Sequence, residues 1–146
     1  MNNKLNIEEN MEFKIENKES TKSKELANLI KSYNKSKREP SISEPLNIYL
    51  EDYQGNLIAG MVAETFGNWL EIEYLYVSEK LRGQGLGSEI LKRAENEARK
   101  RNCKYSFVDT FKFQAPDFYK KHGYKEVFVL KECPYIGERY YYTKEL

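Results

Sequence analysis

The sequence predicts a mixed α/β domain, a central sheet with helices packed on it. Three observations carry that prediction. Stretches of period-two alternation and stretches of helical period take turns along 146 residues, a length that suits one domain. Three extended runs in the middle follow one another with only short turns between them, the pattern of an antiparallel meander. A set of alternating glycines, Arg82-Gly83-Gln84-Gly85-Leu86-Gly87, then separates an extended run from a long helical one.

Taken in order, residues 1–10, "MNNKLNIEEN", are polar and read as a flexible end, so that one domain is expected over residues 11–146. "MEFKIEN" alternates, with Phe13 and Ile15 on one side, and reads as a first strand. In "STKSKELANLIKSYN", Leu26, Leu29, Ile30 and Tyr33 fall on one helical face, and Ser20 or Thr21 can cap the helix. "KSKREPSISEP" is broken by Pro40 and Pro45 and is expected to be loop or a short helical turn. "LNIYLEDYQGNLIAGMVAET" is a hairpin turning at Gly55, and "NWLEIEYLYVS" is the third strand of the meander. "GSEILKRAENEARKRN" is a helix whose Leu86, Ile90, Leu91, Ala94 and Ala98 form one apolar face and whose basic last turn complements the dipole. "KYSFVDTF" is a strand. "APDFYKKHG" is a short helix with Pro116 in its first turn and Gly123 as its stop, and "YKEVFVL" and "RYYYTKEL" close the sheet.

The net charge is +1, which gives no global field toward nucleic acid or a membrane surface. No stretch reads as a signal peptide and no apolar run reaches spanning length, so the cytoplasm is the expected compartment. Cys103 and Cys133 are then expected as free thiols. With His122 as the one histidine, no cluster exists to make a metal site.

A glycine-rich turn at a helix start is an anion site. Free N–H groups and the helix dipole favour phosphate, and glycine admits close approach. A Walker A loop is excluded, because Leu86-Gly87-Ser88 stands where Gly-Lys-Ser/Thr is required. A dinucleotide-binding turn is excluded by the antiparallel meander before it and by the "SEKL" spacer. The remaining pattern, R/Q-x-x-G-x-G/A, fits Arg82, Gly85 and Gly87.

With "LYVSEKLRGQGLG" ahead of a long helix and "APDFYKKHGYKEV" after it, the chain resembles the GNAT acyltransferase superfamily. The likeness runs from about residue 11 and is densest over residues 70–130; "DTFKFQAPDFYKKHGY" resembles small stand-alone bacterial members in particular. It implies a mostly antiparallel sheet splayed between its fourth and fifth strands, with helices on both faces. Two departures stand out: no second helix precedes the second strand, and Gln114 occupies the place nearest a frequent Asn.

The resemblance also implies the site. Backbone amides of Gly83, Gln84, Gly85, Leu86, Gly87 and Ser88, with Arg82 adding charge, would take the diphosphate of acetyl-CoA. Leu75, Tyr76 and Val77 would pair with its pantetheine arm, and Gln114 would assist. Tyr119 would protonate the departing sulfur. Glu73, or Glu71 through a water, would accept the amine proton, with Asp109 as a third candidate. The implied reaction is acetyl transfer to a primary amine of a small molecule or peptide by direct attack in a ternary complex. A catalytically weak CoA-binding sensor is the alternative. No nucleic acid, membrane or metal partner is expected, and a homodimer is left open. His122, in a last helical turn, reads as a surface residue that complements the dipole.

Overall fold

The computed structural model describes residues 11–146. Among them the order is α1 (Thr21–Lys37), β1 (Ser43–Glu51), β2 (Leu57–Phe66), β3 (Trp69–Val77), a short 3-10 turn at Glu79–Leu81, α2 (Leu86–Lys100), β4 (Tyr105–Phe111), α3 (Pro116–Lys121), β5 (Lys125–Lys131) and β6 (Glu138–Glu145). The chain divides into two compact units, Met1–Pro40 and Ser41–Leu146.

The first unit contains α1. Ser20 caps it, accepting from the Ser23 N–H at 3.3 Å, while Ser23 Oγ accepts from the Ser20 N–H at 3.2 Å. None of its residues is buried. The strand expected over "MEFKIEN" does not form: Met11–Glu16 has no ladder, and Phe13 and Ile15 are fully exposed. Alternation alone does not hold a strand, because its N–H and C=O groups need a neighbour to pair with. The expected flexible end, residues 1–10, lies outside the described residues.

The second unit is a six-stranded sheet in the order β1-β2-β3-β4-β6-β5, antiparallel everywhere except between β3 and β4. The strand β1 starts three residues before the alternation at Leu46 and includes Pro45. Proline is tolerated there because β1 is an edge strand. One face of the sheet is the core. Leu46, Ala59, Met61, Ala63, Leu70 and Ile72 pack under Ile90, Leu91, Ala94 and Ala98 of α2, the face that the periodicity predicts. α3 lies on the same face through Tyr119, whose ring stacks 6.5 Å from that of Tyr142 on β6. Below it Tyr124 places its hydroxyl 2.8 Å from Ser106 Oγ and 3.3 Å from Glu95, which also pairs with Lys144 at 2.8 Å. This buried network, fully partnered, fixes α3 to both β4 and α2.

The opposite face carries Glu71, Phe107, Asp109 and Tyr141 and is only partly buried. β3 and β4 pair only over Trp69–Ile72 and Tyr105–Val108. β3 continues to Val77 and β4 to Phe111 without pairing to each other. The opening expected between a fourth and a fifth strand therefore lies between β3 and β4, the count having dropped by the strand that does not form.

Candidate active site

The site is built around the β3–β4 opening. A β-bulge starts it. Val62 faces Tyr74 while the next residue, Ala63, faces Ile72, so Glu73 is an extra residue on β3. A bulge bends its strand and sharpens its twist, and β3 leaves β4 at this point. Beyond it, Leu75 and Val77 pack against the core, and Tyr74 and Tyr76 are exposed. Over Glu73–Val77 the edge of β3 toward β4 has no strand partner among the described residues.

The glycine turn follows directly. Gly83 and Gly85 have φ of +79° and +81°, with open space where a Cβ would stand. The left-handed backbone, and not crowding, is what requires glycine there. Gly85 is the N-cap of α2 and has no side chain to close it, and the N–H groups of Leu86, Gly87 and Ser88 have no acceptor among the described residues. Three unpaired donors at the start of a 15-residue helix fit an anionic diphosphate. The Arg82 guanidinium donates from Nε to the Val77 carbonyl at 3.0 Å, bracing the turn against the end of β3. Gln84 is exposed, and Leu86 packs against the core through its side chain. On the other side, Gly87 faces the Phe118 ring, 3.5 Å from where its Cβ would be.

A cleft of about 470 Å³ opens on the less buried face, lined by Glu64, Glu71, Glu73 and Asp109 among others. Glu71 stands directly across from Glu64. Burial, and then the Glu64 charge, push the Glu71 carboxyl above its ordinary range. Asp109 is committed: Arg139 holds its Oδ2 with Nε and Nη2, both at 2.7 Å. That pairing takes Asp109 out of contention as a free base, while Glu71 and Glu73 have no ion pair among the described residues.

Tyr119 is 5 % exposed, edge-on to Phe118 and Tyr124, and its hydroxyl has no hydrogen bond among the described residues. Burial, with the Asp109 charge adding to it, pushes the phenol up to about 12. Gln114 turns out to be occupied. Its Oε1 accepts from the Phe111 N–H at 2.9 Å and from Thr110 Oγ1 at 3.2 Å, closing the turn after β4, so only its amide N–H₂ remains available.

His122 is the residue the sequence misplaces. Far from a free surface position, its Nε2 lies 2.8 Å from Ser88 Oγ and its ring 4.7 Å from Phe118. Contact between residues 34 apart leaves no mark in local periodicity. Among the described residues no group of three His, Cys, Asp or Glu is arranged to hold a metal ion, and no helix is long and apolar enough to cross a membrane.

Comparison with known proteins agrees with this geometry. The family model described as "Acetyltransferase (GNAT) family" matches residues 8–124. An acetyltransferase of Agrobacterium fabrum is 33% identical over 96 residues, covering 66% of this chain and 70% of that protein. The blasticidin-S acetyltransferase of Streptomyces morookaense is 36% identical over 96 residues, covering 63% and 71%. The crystal structure of an acetyltransferase from Bacillus cereus superposes with a TM-score of 0.80 at 30% identity, covering 92% of this chain and 98% of that one. A sheet that opens beside a glycine turn, together with these likenesses over most of the chain, leads to one conclusion: the chain belongs to the GNAT acetyltransferase family and is an enzyme that transfers acetyl groups from acetyl-CoA.

Proposed function

We propose that the enzyme acetylates the primary amine of a small cationic molecule, the amine attacking acetyl-CoA directly in a ternary complex. The observation that carries this reading is the cleft beside the β3–β4 opening, where Glu71 and Glu73 lack cationic partners among the described residues. An ammonium substrate is drawn to such a wall and must lose a proton before it can attack. Glu71, its carboxyl pushed up by burial and then by the Glu64 charge, takes that proton, directly or through a water. Glu73, at the bulge, lies nearer the departure of β3 and orients the amine.

CoA is held by the N–H groups of Gly83 to Ser88, with Arg82 keeping the turn in place, and its arm lies along Leu75, Tyr76 and Val77. Gln114 contributes through its amide N–H₂ alone. Tyr119, protonated throughout the physiological range, faces the sulfur and donates as the thiol departs. No histidine adjoins Cys103 or Cys133, which argues against an acyl-enzyme. The sensor alternative would be favoured by a missing carboxylate or tyrosine, and both groups are present.

The Streptomyces relative is named for blasticidin S, which makes that compound the first acceptor to test. We place the reaction in the cytoplasm, on the ground that both cysteines are free thiols. We assign it to one functional domain over residues 11–146, the family match over residues 8–124 supporting that span. The test is CoA release with a panel of amines, including blasticidin S, peptides and polyamines, with products identified by mass spectrometry. The expected result is an N-acetylated small amine and intersecting initial-rate lines. Acetylation of hydroxyls only, or an acetylated protein that turns over without acceptor present, overturns the proposal.

A further inference from the structure

We propose that His122 is a positioning residue for the turn that binds the CoA diphosphate. Its Nε2–H donates to Ser88 Oγ, leaving the serine proton free to point at the anion. The inference rests on the reading of residues 82–88 as the diphosphate site.

Ser88 is the third residue of α2, the position from which a side chain can reach back to the N–H of the capping residue. α1 has that arrangement: Ser23, three residues after the N-cap Ser20, accepts from the Ser20 N–H at 3.2 Å. In α2 the serine at the same spacing is drawn sideways to His122, at 2.8 Å. The Gly85 N–H therefore lacks the acceptor that the Ser20 N–H has, and because Gly85 carries no side chain the first-turn N–H groups of Leu86, Gly87 and Ser88 have no internal acceptor either.

A hydroxyl has one proton. If Nε2 accepted it, Ser88 would present lone pairs to an anion and repel it. With Nε2 as the donor, Ser88 instead presents an O–H alongside the three amides. The imidazole is held for this task. Its ring lies 4.7 Å from Phe118, whose ring also meets Gly87, and α3 is pinned just beyond His122 by the Tyr124–Ser106 contact at 2.8 Å.

The experiment is calorimetry of CoA binding to the full chain, with thermal melts alongside. Four variants are compared with wild type: His122→Leu, His122→Gln, Ser88→Ala and the Ser88→Ala/His122→Leu double variant. Glutamine carries an N–H donor at about the position of Nε2, and leucine carries none. The expected loss for His122→Leu is about tenfold in Kd, the scale of one hydrogen bond to a charged group. His122→Gln should stay within about twofold of wild type. Ser88→Ala should lose affinity like His122→Leu, and the double variant should be no worse than Ser88→Ala.

Wild-type affinity in a folded His122→Leu, or losses that multiply in the double variant, overturns the proposal. Should His122→Leu fail to fold, Ser88→Ala decides alone, and wild-type affinity there is equally fatal. Gly85→Val separates the two levels. If it binds CoA normally, the diphosphate is not in this turn and the assignment to His122 falls with it. If it loses CoA while folded His122→Leu does not, only the role of His122 is refuted.

Discussion

The helices α1 and α2 both begin with a capping residue followed three positions later by a serine, and they use that serine in opposite ways. In α1 the extended Ser20, at φ −143°, and Ser23 exchange hydrogen bonds, and the start is capped by its own side chains, with only the Thr21 and Lys22 N–H groups left without an acceptor among the described residues. In α2 the left-handed Gly85, at φ 81°, offers no side chain, Ser88 is taken by His122, and the first turn stays open. The same contrast recurs between two buried tyrosines. Tyr124 has Ser106 and Glu95 at its hydroxyl, whereas Tyr119, its edge-on neighbour at 5.5 Å, has no partner among the described residues. A polar group left unmade inside a fold costs about 1–3 kcal/mol. The core hydroxyl of Tyr142 also has no partner among the described residues, so an unpaired hydroxyl alone does not mark a site; Tyr119 differs in lying on α3, beside the glycine turn that Phe118 meets.

The largest expected effect comes from closing the open turn. Gly85→Val forces a β-branched residue into φ 81° and sets a side chain in the space beside the free amides. CoA affinity should fall by about 100-fold or more, from both the strain and the blocked approach. Calorimetry with a melt as control measures it, and undiminished binding by a folded variant would break the comparison at its root.

That turn is also the part of the site most legible in sequence, because Arg82, Gly85 and Gly87 are local and their spacing is the structure. The apolar face of α2 was legible for the same reason: a helix buries at i, i+3 and i+4 without reference to the rest of the chain. "MEFKIEN" shows the converse. Its alternation is as clear as that of Leu46, Ile48 and Leu50, but alternation says nothing of whether a neighbour strand is there to pair with. Glu73 as a bulge residue, Asp109 committed to Arg139, Gln114 turned into its own loop and His122 against Ser88 all depend on register or on contacts distant in sequence. Residue types and order do not carry that information.

Second in size is Tyr119→Phe. The lost hydroxyl has no structural partner to miss, so the melting temperature should stay within a few degrees, and kcat should fall by about 100-fold, the low end for a general acid. The low end applies because a phenol near 12 gives up its proton reluctantly. CoA affinity should be nearly unchanged. The same residue sets an alkaline limit. Its folded value is raised above the ordinary 10, so its contribution is whole below pH 10 and is lost as pH climbs toward 12. Two units correspond to roughly 3 kcal/mol, and Tyr124, shifted in the same direction by burial, adds to the loss. Denaturant titrations at pH 9 and pH 11.5 measure it: Tyr119→Phe should lose less stability between them than wild type.

Next is Glu71→Gln. Removal of the proton acceptor should lower kcat by about tenfold or more, with the acid limb of the pH–rate profile displaced. Stability should move the other way. Glu71 is raised in the folded state by burial and by Glu64, so its charged form opposes folding, and this penalty appears as pH rises through its folded value. A neutral glutamine removes the like-charge pair, and at pH 7 the variant should melt slightly above wild type. A variant that loses activity and stability together would make Glu71 a structural residue.

The smallest effect belongs to the closed helix start. Ser20→Ala removes the oxygen that accepts from the Ser23 N–H at 3.3 Å, and the Ser23 side chain keeps its bond to the N–H of residue 20. Half of the reciprocal pair therefore survives, and the cost should be about 1 kcal/mol. None of α1 is buried, so the loss should appear locally and not as a change in the cooperative melt. Hydrogen exchange resolves it: amides in the first turn of α1 should exchange about fivefold faster, and those of the core strands unchanged. In α1 the N–H groups of Ser20, Ser23 and Lys24 are satisfied internally, and those of Thr21 and Lys22 have no acceptor among the described residues. The alanine variant frees the Ser23 N–H as well, but an extended residue leads into α1, whereas the left-handed Gly83 and Gly85 lead into the unpaired donors at Leu86 to Ser88. CoA should accordingly slow exchange at Leu86, Gly87 and Ser88 in both proteins to the same degree. If Ser20→Ala shifts exchange throughout α2, or if the Ser88 amide is as protected as that of Ser23 before any CoA is added, the distinction between a capped start and an open one is wrong.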